Sequence, residues 1–262
     1  MTEDRFKPHI RRWFTDNGFE VADIPCSRES GKQTPDFHLA KGAEEYVVEL
    51  KIKGDDEEEL ARDSAVLAAG QILERSVPLS PRNTLDGVIE YGHKQMLEFD
   101  PQLRCFHVLW IHCDGRDAHR LEERFRLTLF GQQRLVSLQG THVLHAFYFH
   151  NSSFWRFRDA LDGAILSFSN GGNLSAKLCV NTVSTRVDAF RASALFALHR
   201  DGRCDPEAFK RDGDAFIVDG NVDRTHEAAV LAFLRAKYGI EHLQTFGMGA
   251  YSVLAPVQPG NG

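Results

Sequence analysis

Tyr46-Val47-Val48-Glu49-Leu50-Lys51-Ile52-Lys53 alternates from end to end. Successive residues of an extended chain point to opposite faces. Tyr46, Val48, Leu50 and Ile52 therefore share one side, and Val47, Glu49, Lys51 and Lys53 the other. The pattern predicts a strand over 46–53. Glu49 and Lys51, two positions apart, present their charges on the same face. Upstream, Pro35 opens another strand candidate over 36–39, and Lys41-Gly42 supplies a turn between the two. A hairpin of this kind carries Asp36, thirteen positions before Glu49, toward it.

Two carboxylates converging beside an ammonium have a chemical use. Mg²⁺ takes hard oxygen ligands, usually one or two carboxylates completed by water and substrate phosphate. Such an ion polarises a phosphoryl oxygen and acidifies water. A neighbouring lysine can orient the attacking water or stabilise the developing charge. The bland reading of the same residues is a set of cross-strand ion pairs on a half-solvated sheet.

Outward from this hairpin, Phe6, Ile10, Trp13 and Phe14 recur at helical spacing and predict a helix over 3–17, with Gly18 as its stop. Pro8 argues that the regular helix begins near Lys7. A short strand over 19–24 follows, then a polar loop over 26–34. The acidic run 54–59 reads as a solvated lead into a helix over 60–75, its carboxylates suiting the positive end of the helix. A second helix is expected over 85–99, a buried strand over 106–113 and an amphipathic helix over 117–130. Farther on, 143–149 reads as a strand and 163–168 with 174–181 as a hairpin. The stretches 184–198 and 225–238 read as helices.

Pro35-Asp36 followed by Glu49-Leu50-Lys51 resembles the signature of the PD-(D/E)XK nuclease superfamily, the restriction-endonuclease-like fold. The element order over roughly the first 113 residues (helix, three strands, helix, strand) is also similar to that family. The resemblance implies that Asp36 and Glu49 are metal ligands and that Lys51 is the catalytic lysine. Many members carry a glutamate on the first helix that helps to hold metal or water; here the candidate is Glu3. Many also carry a Gln or Lys on the helix after the motif that contacts phosphate or the active-site water. Lys94-Gln95 matches that place, with Gln71 as the fallback. The stretch 54–83 departs from the family's order as an insertion. The implied cofactor is Mg²⁺, with Mn²⁺ able to replace it, and the implied partner is nucleic acid, DNA in the first instance.

Composition sets outer limits. The 262 residues carry a net charge of −6, which does not steer the whole chain toward nucleic acid but leaves room for a local basic groove. Five cysteines, with no CxxC pair, argue against a zinc ribbon or a disulfide framework. The polar start and the lack of any apolar run near the ~20 residues that span a bilayer point to a cytoplasmic protein with no membrane partner. No phosphate loop, dinucleotide-binding glycine pattern or serine elbow occurs. The twelve histidines read as structural or exposed. Arg116, Arg120, Arg124, Arg126 and Arg134 read as a solvated helix face, or else as a phosphate-contacting rim. Phe154, Trp155 and Phe157 read as core rather than as a base-stacking platform.

The resulting expectation is an α/β protein. Its restriction-endonuclease-like core (1–115) is a mixed β-sheet flanked by helices, and an α/β extension (116–262) packs on it as part of one large domain. Its activity would be Mg²⁺-dependent phosphodiester hydrolysis in restriction, repair or defence. The rival is a non-catalytic nucleic-acid-binding or interaction module on the same fold, active only within a larger complex; a homodimer or a larger defence complex is the expected kind of assembly.

Overall fold

The computed structural model describes residues 2–25, 34–78, 83–137, 143–170, 173–247 and 250–255. Helix α1 (Glu3–Asp16) forms because Phe6, Ile10 and Phe14 make one buried stripe. It starts at Glu3, not near Lys7, with Pro8 inside it. Proline costs one bond, to the Asp4 carbonyl, and Asp4 lies at the exposed helix start where water can serve that oxygen. Gly18, at φ +77°, turns the chain out of the helix. The Lys41 ammonium donates to the Asn17 carbonyl at 2.8 Å and ties this end to the sheet.

Strands β1 (Glu20–Asp23), β2 (Phe37–Lys41) and β3 (Glu44–Lys53) form an antiparallel meander. Helices α2 (Glu57–Ala68) and α3 (Asn83–Phe99), with β4 (Leu73–Pro78) between them, lead to β5 (Phe106–Cys113), which lies parallel to β3. Next come α4 (Ala118–Phe130), β6 (Gln133–Ser137), β7 (Val143–Phe147) and α5 (Ser153–Arg156). The hairpin of β8 (Gly163–Asn170) and β9 (Asn173–Val180) then returns to the first sheet, with β8 parallel to β5. Helices α6 (Val187–Arg191) and α7 (Ala194–Leu198) precede β10 (Arg203–Cys204). The chain ends in α8 (Pro206–Arg211), β11 (Ala215–Ile217), α9 (Glu227–Tyr238), β12 (Leu243–Phe246) and β13 (Ala250–Ala255).

The main sheet has seven strands in the order β1-β2-β3-β5-β8-β9-β10. Its two faces bury different sets of side chains. Tyr46, Val48, Leu50, Val108 and Trp110 meet Phe6, Ile10 and Phe14 of α1. Val47, Leu109 and Ile111 meet Leu85, Ile89 and Met96 of α3 and Phe125 of α4. The chain is thus α/β, with a mixed sheet flanked by helices. The second apolar cluster continues without a break from Val47 and Leu109 to Val230 and Leu234 of α9, so the segments before and after residue 115 share one core. A smaller sheet, β11-β7-β6-β12, lies on this side. Among the described residues no helix is long and apolar enough to cross a membrane.

Two further expected elements differ. The helix placed over 60–75 ends at Ala68; Gly70 turns at φ +73° and Leu73 enters β4, whose partner is β13 near the other end of the chain. The helix placed over 184–198 is two short ones, broken at Ser193, whose hydroxyl accepts from Phe196 N–H and caps α7. Strand β6 was not foreseen. The hairpin turn at 171–172 and the start of the polar loop, 26–33, lie outside the described residues.

Candidate active site

The β2–β3 register pairs Phe37 with Val48, so Asp36, one step before β2, stands level with Glu49. Its carboxylate is held from both sides. One oxygen accepts from the Leu50 N–H at 2.8 Å, and the other meets the Lys7 ammonium of α1 at 2.7 Å. Glu49 and Lys51 project from the opposite face of β3 to Leu50, toward α3. The helix comes close there because Gly92 has no side chain. A Cβ at that position would stand 2.5 Å from Leu109 Cδ1 and 3.3 Å from Glu49 Cγ.

A cleft of about 720 Å³ opens between the start of α1, the end of β3 and α3. Glu3, Asp36, Glu49, Lys51 and Gln95 all line it, as does Lys7. Five residues named from sequence thus share one cavity. Glu3 stays at its wall. Among the described residues the one three-ligand cluster of metal-binding type lies elsewhere, so Glu3, Asp36 and Glu49 do not gather into such a group.

Glu49 is 2% exposed. One carboxylate oxygen bonds the Lys51 ammonium; the other, Oε2, is buried without a hydrogen-bond partner. Burial, reinforced by the nearby Asp36 charge, pushes its pKa up to about 8 against the pull of Lys51. Burial pulls the Lys7 ammonium down, but its bond to Asp36 and the charge of that carboxylate outweigh this, and its pKa is raised. Lys51 also lies 4.9 Å from the Tyr91 ring centre, and Tyr91 lines the cleft.

The α3 positions separate as helical geometry requires. Gln95 is buried in the cleft wall; its Nε2 makes a long 3.4 Å contact to the Thr34 carbonyl, and its Oε1 has no partner. Lys94, one residue or ~100° earlier, does not face the cleft. It is exposed and pairs with Glu98 at 3.8 Å, so its expected role at the site is corrected. Gln71, exposed beyond α2, is not in the cleft wall.

Lys7 and Tyr91 were not singled out from sequence. Lys7 carried a usable signal: it stands four residues after Glu3, and i,i+4 positions share a helix face. Tyr91, four before Gln95, carried the same one.

The segments set aside are bound into the structure. Arg116 holds Asp63 at 2.6 Å. Arg156 bridges Asp86 and Glu90 of α3, and Phe154 is buried. His107 and His112 take opposite faces of β5; His112 stacks on Phe6 at 3.8 Å, and His107 bonds Asp100 at 3.3 Å.

No family model, curated protein or solved structure matches this chain. The chemistry of the cleft itself is compatible with a hard divalent cation. Its donors are carboxylate oxygens, as Mg²⁺ requires. Glu49 Oε2 is a buried acceptor facing no donor, and burial together with a like charge disfavours its ionised form. A cation beside Asp36 and Glu49 relieves both costs.

Proposed function

We propose that this chain is a Mg²⁺-dependent nuclease of the PD-(D/E)XK type that hydrolyses phosphodiester bonds, with DNA as substrate. The observation that carries the reading is the buried, unpartnered oxygen of Glu49 beside Asp36 and Lys51 in an open cleft. The helix, three-strand meander, crossover helix and parallel strand of the first 113 residues support the same family.

In this reading Asp36 and Glu49 hold the cation, and Mn²⁺ can replace Mg²⁺. When bound, the cation supplies charge neutralisation at the phosphoryl group and acidifies water. The remaining work falls to the chain. Lys51, an ammonium with donors only, directs a proton toward the phosphoryl oxygen that gains charge. Its bond to Glu49 fixes its direction. Gln95, whose amide oxygen is unpartnered, can accept from the attacking water and orient it. Glu3 and Tyr91 form the walls along which the nucleic acid would lie, and Lys7 holds Asp36 in place. Restriction, repair and defence all use such chemistry.

A second reading draws on one observation: both Asp36 oxygens are already engaged within the chain. On it, the protein is a non-catalytic nucleic-acid-binding or interaction module that acts within a larger complex. Each carboxylate oxygen keeps a further lone pair, so the first reading stands. Cleavage of plasmid and of short single- and double-stranded DNA and RNA, with Mg²⁺ and with chelator, separates the two. The expected result is metal-dependent cleavage of DNA. Failure to bind Mg²⁺ in calorimetry, together with no cleavage, would support the module.

A further inference from the structure

The face of the sheet that carries Glu49 and Lys51 carries a different set of donors at its other end. Glu45 has the same parity on β3 as Val47, Glu49 and Lys51, four residues or about 13 Å before Glu49 at roughly 3.3 Å per residue. His38 on β2 pairs in register with Val47, and Ala40 with Glu45, so His38 and Glu45 are diagonal neighbours. Cys105, just ahead of β5, closes the group. His38 Nε2 lies 3.3 Å from Glu45 Oε2. Cys105 Sγ lies 3.6 Å from the same carboxylate oxygen and 3.9 Å from His38 Nε2.

Those three edges match a known polyhedron. With metal–ligand bonds of about 2.0–2.3 Å, a tetrahedral zinc ion holds its N, O and S ligands about 3.3–3.6 Å apart. The observed triangle exceeds this by a few tenths of an ångström on one edge. Burial is graded in the way an open site needs. Cys105 is buried, the His38 side chain is 34% exposed and that of Glu45 55% exposed. The fourth corner therefore faces solvent.

The cysteine is held rigidly. Its N–H donates to Asp100 Oδ2 at 2.9 Å, and its carbonyl accepts from Arg186 Nη1 at 2.8 Å. Asp100 in turn bonds His107. Outer partners of this kind hold ligands in place before a metal arrives.

We propose that His38, Glu45 and Cys105 form a zinc site with three protein ligands and one open position, on the sheet face of the cleft but at the opposite end of β3. Thiolate and imidazole select a borderline-soft ion such as Zn²⁺, where the carboxylates of the cleft suit a hard ion such as Mg²⁺. On binding, Cys105 coordinates as thiolate and its proton leaves to solvent. The ion joins β2, β3 and the entry to β5, three separate segments of the sheet, and so adds stability. This inference does not depend on the nuclease reading.

The test uses the full chain after chelator treatment and dialysis. Zn²⁺ is titrated in competition with a chromogenic chelator, and Co²⁺ is followed by thiolate-to-cobalt charge-transfer absorption. The expected result is one tight Zn²⁺ per chain, unaffected by excess Mg²⁺, a raised Tm with Zn²⁺, and a cobalt–thiolate band that Cys105→Ser removes. Glu45→Gln and His38→Ala, both on the exposed side, should weaken Zn²⁺ by at least the ~10–100-fold that loss of an outer partner costs. A wild type without the cobalt–thiolate band overturns the proposal, as does a band retained by Cys105→Ser. Should Cys105→Ser fail to fold by circular dichroism, unchanged Zn²⁺ affinity in Glu45→Gln and His38→Ala overturns it instead.

Discussion

Glu49 is a buried acid with its pKa lifted to about 8, and this has two measurable consequences. A raised carboxyl pKa means that the native state keeps a proton the unfolded chain has lost. Stability in the absence of metal should therefore fall as pH rises from the ordinary value of 4.5 to about 8. Glu49→Gln, which cannot ionise, should lose that slope and melt higher than wild type at pH 8–9 when chelator is present. Metal binding should run the other way. Mg²⁺ must displace the proton, so its affinity should climb with pH and level off near 8. An affinity flat between pH 6 and 8 would remove Glu49 from the ligand set. Under the nuclease reading, Asp36→Asn, Glu49→Gln and Lys51→Met should each lower cleavage by about 10²–10³ or more while the far-ultraviolet spectrum stays native. Lys7→Met removes the ammonium that holds Asp36 in place, so Mg²⁺ should bind more weakly; tighter binding would mean that Lys7 instead competes with the metal for Asp36.

Helix α3 carries two glycines with opposite expected behaviour. Gly87, in the cleft wall, has nothing within 4 Å of where a Cβ would stand. Gly87→Ala should stabilise the chain by about 0.5–1 kcal/mol, the usual helix-interior gain. Gly92 presses on Leu109 and Glu49, so Gly92→Ala meets a packed wall. The expected cost is about 1–3 kcal/mol from overpacking, set against the same helix gain. It should also move α3 and Gln95 away from β3 and reduce turnover. Chemical denaturation of both variants reads the contrast directly; equal shifts of the same sign would show that α3 does not depend on this close approach.

Four buried histidines lie in the two cores. His93, His107, His112 and His199 are each held down to a pKa of about 4, and burial is the leading cause for every one. The unfolded chain binds these protons below its ordinary value of 6.5, whereas the native state does so only near 4. Stability should therefore drop steadily as pH falls through that window. Asp162 opposes this. Burial outweighs its Arg186 partner and lifts its pKa to about 6, so its contribution weakens as pH rises from 3.8 to 6. Glu49 opposes it in the same sense, and four histidines against these two carboxyls leave a net loss toward acid. Tm measured at pH 7 and pH 4.5 should differ clearly, and His112→Phe, filling the stack against Phe6, should lessen the difference. An unchanged Tm would mean that these rings protonate freely in the native state.

Strand alternation and helical stripes are local steric facts, and they were legible. Phe6, Ile10 and Phe14 announced α1, and the row Val47, Glu49, Lys51 announced both the face and the charges of the candidate site. The spacing of Asp36 and Glu49 around one turn was enough to put them level, because a hairpin register follows from its loop. What lay beyond a helical turn or a hairpin was not legible. Lys7 reaches Asp36 across 29 positions, β4 finds β13 near the chain's other end, and His38 and Glu45 meet Cys105 only because β5 enters beside β3. Lys94 and Gln95 are neighbours in sequence, yet one is solvated and the other buried, since the rotation of α3 is set by Gly92 seating against Leu109. Contacts of that kind depend on how much apolar surface each arrangement buries over the whole chain, a sum that no short window of residues contains.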